Sequence, residues 1–137
     1  MAIKRSPSVG VVMRRLVRAI DRMDNPAIEK LAAEQKGDSF QVLIATLLSA
    51  QTKDAVTLDA SMRLFRRAPT PETMARLSVS TLERLIYPVS FYRNKARHVK
   101  EASRQIMSRF GGTVPTTMSD LLTLPGVGRK TANLTLI

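Results

Sequence analysis

Leu124-Pro125-Gly126-Val127-Gly128-Arg129-Lys130-Thr131-Ala132 stands close to the end of the 137-residue chain. A proline and two glycines make a tight turn, and Arg129 onward reads as the start of a helix. Glycine has no side chain to keep a phosphate away from backbone N–H groups, and a helix N-terminus attracts anions. Lys130 falls in the first helical turn, where the helix dipole disfavours a cation, so it is not there to stabilise the helix. A turn suited to a phosphate, beside an awkwardly placed amine, points to DNA chemistry.

Working back from this turn, the chain reads as all-α. Thr117 with Asp120 caps a brief helix through Leu121 and Leu122. Gly111-Gly112 stops a helix over about Tyr92 to Phe110 that turns Val99, Ala102, Ile106 and Phe110 inward. Ser80 and Glu83 have the spacing of a capping box, and the helix they open carries Leu82, Leu85 and Ile86 and stops before Pro88. Pro69-Thr70-Pro71 separates a short helix holding Met74 and Leu77 from a longer one. That longer helix runs from about Lys53 to Arg67 and is expected to bury Leu58, Met62 and Phe65. The most apolar helix opens at Asp38 or Ser39: Phe40, Leu43, Ile44, Leu47 and Leu48 cover a broad face, with Val42 and Ala45 beside it. It is expected to be the hydrophobic centre.

Further upstream, Asn25-Pro26 restarts a helix that Gly37 ends. Before it, Val12, Leu16, Ala19 and Met23 recur at helical spacing opposite Arg14, Arg15, Arg18 and Arg22. Met1 to Pro7 reads as disordered. The final helix carries no C-terminal cap through Asn133-Leu134-Thr135-Leu136-Ile137, so the chain reads as a fragment cut within a helix.

Lys and Arg number 22 against 11 acidic residues, a formal net charge of +11 that argues for a polyanionic partner. There is no cysteine, so this chain holds no disulfide, zinc–thiolate or iron–sulfur site. No apolar run approaches the ~18 residues of a membrane span, and Met1 to Pro7 lacks the apolar core of a signal peptide. An intracellular place with DNA, and no membrane partner, is the expectation.

A Gly-x-Gly between helices is by itself an ordinary helical connection. The short capped helix before it, the Leu-Pro entry and the pair Arg129-Lys130 narrow it to the helix–hairpin–helix pattern. The backbone amides of such a hairpin hold a DNA phosphate without reading sequence, and its carbonyls can hold a monovalent cation. Three segments in order resemble the endonuclease III branch of the helix–hairpin–helix DNA glycosylases: Leu47-Leu48-Ser49-Ala50-Gln51-Thr52 with Asp54, Phe91-Tyr92-Arg93-Asn94-Lys95-Ala96, and Leu124 to Asn133. The resemblance implies a six-helix glycosylase lobe over 25–137, with the hairpin at 118–137. It also implies that 1–24 belongs to a second, iron–sulfur lobe.

What the resemblance implies about chemistry is base excision from double-stranded DNA by a monomer. A damaged base is flipped out of the stack, an amine attacks C1′, and the Schiff base permits strand cleavage at the abasic site. Lys130 matches the nucleophilic lysine, which favours the lyase branch acting on oxidised pyrimidines. Gln51 would fill the hole left by the flipped base, and Phe91 stands at the wedge between bases. Leu124, Gly126, Val127, Gly128, Arg129 and Thr131 complete the DNA-contacting set. Arg93, Lys95, Arg97, Lys100 and Arg104 would track phosphates or coat a solvated helix face; His98 receives no role.

The chain departs from the family pattern in two ways. The essential aspartate and the four-cysteine loop of a 4Fe–4S cluster would both fall after Ile137, and neither Asp54 nor Asp120 takes the aspartate's place. Residues 1–137 alone are therefore expected to bind DNA weakly and to be nearly inactive, with no cofactor of their own. Three rivals are a monofunctional mismatch glycosylase, a non-catalytic helix–hairpin–helix DNA-binding module, and a binder of acidic proteins. Lys130 argues against the first. Gln51 and Lys130 argue against the second, since phosphate binding needs neither.

Overall fold

The computed structural model describes residues 39–137. They form seven helices: α1 (Ser39–Ser49), α2 (Asp54–Arg67), α3 (Pro71–Arg76), α4 (Val79–Ile86), α5 (Tyr92–Arg109), α6 (Met118–Leu121) and α7 (Arg129–Leu136). Among the described residues there is no strand, in keeping with the all-α class. The N-terminal helix, the Asn25 restart and the boundary between 1–24 and 25–137 lie outside the described residues.

α1 is the centre of the packing. Leu43, Ile44, Ala45 and Leu48 have no exposed surface, because α2, α5 and α7 all pack on this helix. Burying a leucine or isoleucine side chain in this way contributes about 1.5–3 kcal/mol. α5 is the second organiser and receives α3 and α4. Its Ala96, Val99, Ala102 and Ile106 are fully buried. Among the described residues no helix is long and apolar enough to cross a membrane.

Two local expectations are corrected. In α2 the deeply buried residues are Thr57, Ala60, Ser61, Leu64 and Phe65, whereas Leu58 and Met62 are only partly buried. The buried face includes three small side chains and is rotated from the one that apolar periodicity marks. The cap of α4 is Ser78, whose hydroxyl accepts from the Thr81 N–H at 3.1 Å, so Ser80 lies inside the first turn. Thr117 does cap α6, accepting from the Asp120 N–H at 3.2 Å.

The last carbonyls of a helix have no partner within it, and a cation is favoured there by the dipole. This fold meets that need with basic side chains from neighbouring helices. Arg63 of α2 donates to the Leu85 and Tyr87 carbonyls at the end of α4, at 2.9 and 2.6 Å. Lys100 of α5 donates to the Ala75 and Leu77 carbonyls at the end of α3, both at 2.8 Å. Lys100 thus spends two of its three ammonium donors on the end of α3.

Candidate nucleic-acid interface

Gln51 and Phe91 are the two non-glycine residues with positive φ among the described residues, at 57° and 56°. Only glycine adopts this region without cost; other residues lose roughly 1–2 kcal/mol there. Gln51 follows the end of α1, and Phe91 precedes α5. The strain turns both side chains out of the core: Gln51 is exposed, and Phe91 is 63% exposed despite being a large aromatic residue. The structure also brings them together. The Ser90 hydroxyl donates to the Gln51 carbonyl at 2.7 Å, and the Ser90 N–H donates to the Thr52 hydroxyl at 3.1 Å.

Lys95 lies beneath this pair and departs most from the sequence reading. It is 7% exposed. Its Nζ donates to the Leu48 carbonyl at 3.0 Å, the Ala50 carbonyl at 2.5 Å and the Thr52 hydroxyl at 3.3 Å. It caps α1 from inside and cannot track phosphates. Burial lowers its pKa from the ordinary lysine value. One signal would have found it: Lys95 shares the helical register of the buried Val99, Ala102 and Ile106. Arg93, Arg97 and Arg104 do remain exposed on α5. Arg93 lies over the Tyr92 ring at 5.4 Å, Arg97 donates to the Asn94 amide oxygen, and Arg104 pairs with Glu101 at 2.8 Å.

The other candidate segment is the connection from α6 to α7, which pack on each other. Leu124 and Val127 are 2% and 7% exposed. Their N–H groups close the turn, to the Leu121 and Leu124 carbonyls at 3.1 and 3.2 Å. They shape the turn and offer no side chain to solvent. Thr131 is likewise buried, at 8% exposure. Gly126, Gly128, Arg129 and Lys130 are exposed.

The two glycines stand for different reasons. Gly126 has φ 78°, and a Cβ there would come within 2.9 Å of His98 Cβ and Nδ1; the fold demands a glycine. His98, without a role in the sequence, is thus the α5 residue against which the turn rests. Gly128 has an extended backbone (φ −97°, ψ −176°), and a Cβ would meet nothing within 4 Å. The fold would accept a side chain at this position. A helix N-terminus has N–H groups without intrahelical partners, and glycine keeps them bare.

Lys130 follows in the first turn of α7. The two ion pairs among the described residues are Arg76–Glu72 and Arg104–Glu101, so none of their carboxylates pairs with Lys130. α7 packs on α1, the helix whose far loop carries Gln51. Among the described residues no group of three or more His, Cys, Asp and Glu could hold a metal ion. With no cysteine in the sequence, the residues present do not fit an iron–sulfur cluster.

The described residues thus form an all-α scaffold that carries two strained, exposed side chains and a glycine hairpin. Residues 44–134 match the model of the HhH-GPD superfamily of base excision DNA repair proteins, and the chain belongs to this superfamily. Within it the similarity is to endonuclease III. The chain is 42% identical over 118 residues to endonuclease III of Thermotoga maritima, covering 80% of this chain and 55% of that protein. It is 39% identical over 115 residues to endonuclease III-like protein 1 of Mus musculus, covering 84% of this chain and 38% of that one. A solved trapped endonuclease III–DNA covalent intermediate superposes with a TM-score of 0.70 at 38% identity, over 72% of this chain and 46% of that chain. A thermostable thymine-DNA glycosylase, 22% identical, shares the fold with a TM-score of 0.70 over 94% of this chain and 58% of its own. The chain thus spans between about a quarter and a little over half of the length of the endonuclease III relatives it matches.

Proposed function

We propose that the protein to which this chain belongs is a DNA glycosylase with lyase activity. It removes oxidised pyrimidines from duplex DNA and cleaves at the abasic site, acting as a monomer. The observation that carries this reading is the pairing of Gln51 with Phe91, two exposed side chains held in strained backbones by a shared network. Core packing does not call for either of them. Phe91 wedges into the stack, and the Gln51 amide fills the gap and hydrogen-bonds the orphaned base. The bare N–H groups around Gly126, Gly128 and Arg129 hold a backbone phosphate, and turn carbonyls hold a monovalent cation. Residues 25–137 form the glycosylase lobe, and residues 1–24 belong to the second lobe.

Lys130 is the nucleophile. Its neutral amine adds to C1′, and the glycosidic bond breaks with its electron pair leaving on the base, which is protonated. Opening of the sugar ring gives a protonated Schiff base between Lys130 and C1′. Loss of a C2′ proton expels the 3′ phosphate, and water then hydrolyses the Schiff base and frees the lysine. No residue of this chain is assigned the family's aspartate. A 4Fe–4S cluster has no ligands here, and no step runs through one.

Borohydride trapping of the whole protein on a duplex carrying an oxidised pyrimidine tests the reading. Lys130→Ala is expected to abolish the covalent adduct and leave binding within about twofold. An undiminished adduct overturns the assignment. Base release with an intact strand favours a monofunctional glycosylase, and binding without either product favours a non-catalytic module.

A further inference from the structure

We propose that Lys95 is a positioning residue that sets Gln51 against Phe91, and thereby sets the preference for opened over intact duplex. The inference rests on the function proposed above. The side chain spans the two strained loops. Its backbone N–H donates to the Phe91 carbonyl at 2.9 Å. Its ammonium reaches across to the Ala50 carbonyl, one peptide before Gln51, and to the Thr52 hydroxyl, one residue after it. Ser90 closes the ring by donating to the Gln51 carbonyl and to the same Thr52 hydroxyl. Carbonyl or hydroxyl groups on both sides of Gln51 are thus held by residues that flank or follow Phe91.

This arrangement has a definite physical consequence. An ammonium has three N–H donors, and all three are engaged inside the protein, so none is left for a phosphate. Lys95 therefore acts on DNA only through the residues it holds. Two side chains that must enter one gap together lose less entropy if their separation is fixed beforehand. The benefit arises only when there is a gap to fill. The clamp therefore tightens binding to a duplex with a missing base and leaves hairpin binding to intact duplex alone.

The test uses the whole protein and two duplexes of one sequence, one fully paired and one with a single tetrahydrofuran abasic analogue. The readout is the ratio of the two affinities by fluorescence anisotropy. Lys95→Met keeps the buried stem and removes the ammonium; it is expected to lower the ratio about fivefold, with affinity for the paired duplex within about twofold. Ser90→Ala, a change at a half-buried hydroxyl, lowers the ratio in the same direction even if Lys95→Met folds poorly. If Gln51→Ala and Phe91→Ala lower the ratio while Ser90→Ala and folded Lys95→Met retain it, the clamp is overturned alone. If the unaltered protein shows no preference, the pairing of Gln51 and Phe91 in a DNA gap is overturned, and the clamp with it.

Discussion

Replacing Gly126 with alanine puts a Cβ on a backbone with φ 78° and within 2.9 Å of His98 Cβ and Nδ1. The left-handed conformation costs an alanine roughly 1–2 kcal/mol. The overlap adds an overpacking cost of about 1–3 kcal/mol. It cannot be relieved by a rotamer change alone, because His98 Cβ is fixed to the α5 backbone. Stiffening of the unfolded chain moves stability by at most about 1 kcal/mol, leaving a net loss of about 1–5 kcal/mol. That is a large share of the ~5–15 kcal/mol that holds a domain folded. Gly128→Ala is the matched control: its backbone is extended and its Cβ meets nothing, so stability should change by less than about 1 kcal/mol. Urea unfolding followed by circular dichroism measures both, and anisotropy on a paired duplex follows binding. Gly128→Ala is expected to weaken binding while remaining folded. If Gly126→Ala unfolds within about 0.5 kcal/mol of the unaltered chain, the account of the turn resting on His98 is wrong. If Gly128→Ala binds DNA normally, the bare helix end is not the phosphate site.

Three further outcomes are expected. Ser78→Ala should destabilise by about 1 kcal/mol through loss of the α4 cap, and Ser80→Ala by less than about 0.5 kcal/mol; equal effects in urea titrations would return the cap to Ser80. The Ser61 hydroxyl is fully buried with no hydrogen-bond partner among the described residues, so Ser61→Ala should leave stability unchanged or raise it by about 1 kcal/mol. A clear loss would show that the hydroxyl has a partner. Burial lowers the pKa of Lys95, so between that lowered value and the ordinary one the unfolded chain binds more protons than the folded chain. Stability attributable to Lys95 therefore rises with pH in that window. Lys95→Met should lack the rise, and parallel stability curves from neutral pH to about pH 10 would refute it.

Where the chain signals structure locally, the sequence was enough. The apolar run from Phe40 to Leu48 named the central helix, Gly111-Gly112 and Pro69-Thr70-Pro71 marked the breaks, and Leu124 to Thr131 announced the hairpin. The misses share a physical cause. Apolar periodicity overlooked Thr57 and Ser61 because their side chains are polar, although both are buried. Ser78 and Ser80 both precede a hydrogen-bonding residue by three positions, and only the chain's path decides between them. The partners of Lys95 are more than forty residues away, so no nearby residue announces them. Gln51 and Phe91 could be found by resemblance, but their strained backbones and their contact through Ser90 could not.

Arg63, Lys95 and Lys100 turn their charges onto helix ends, and this alters how the chain meets a polyanion. Cations strengthen DNA binding by displacing condensed counterions, and each phosphate neutralised steepens the salt dependence by about 0.9 in log–log slope. Groups held on carbonyls are less free to do so. The slope for any DNA complex of this chain should therefore fall short of what its 22 basic residues suggest. The exposed Arg93 and Arg97 are better placed to contribute to it.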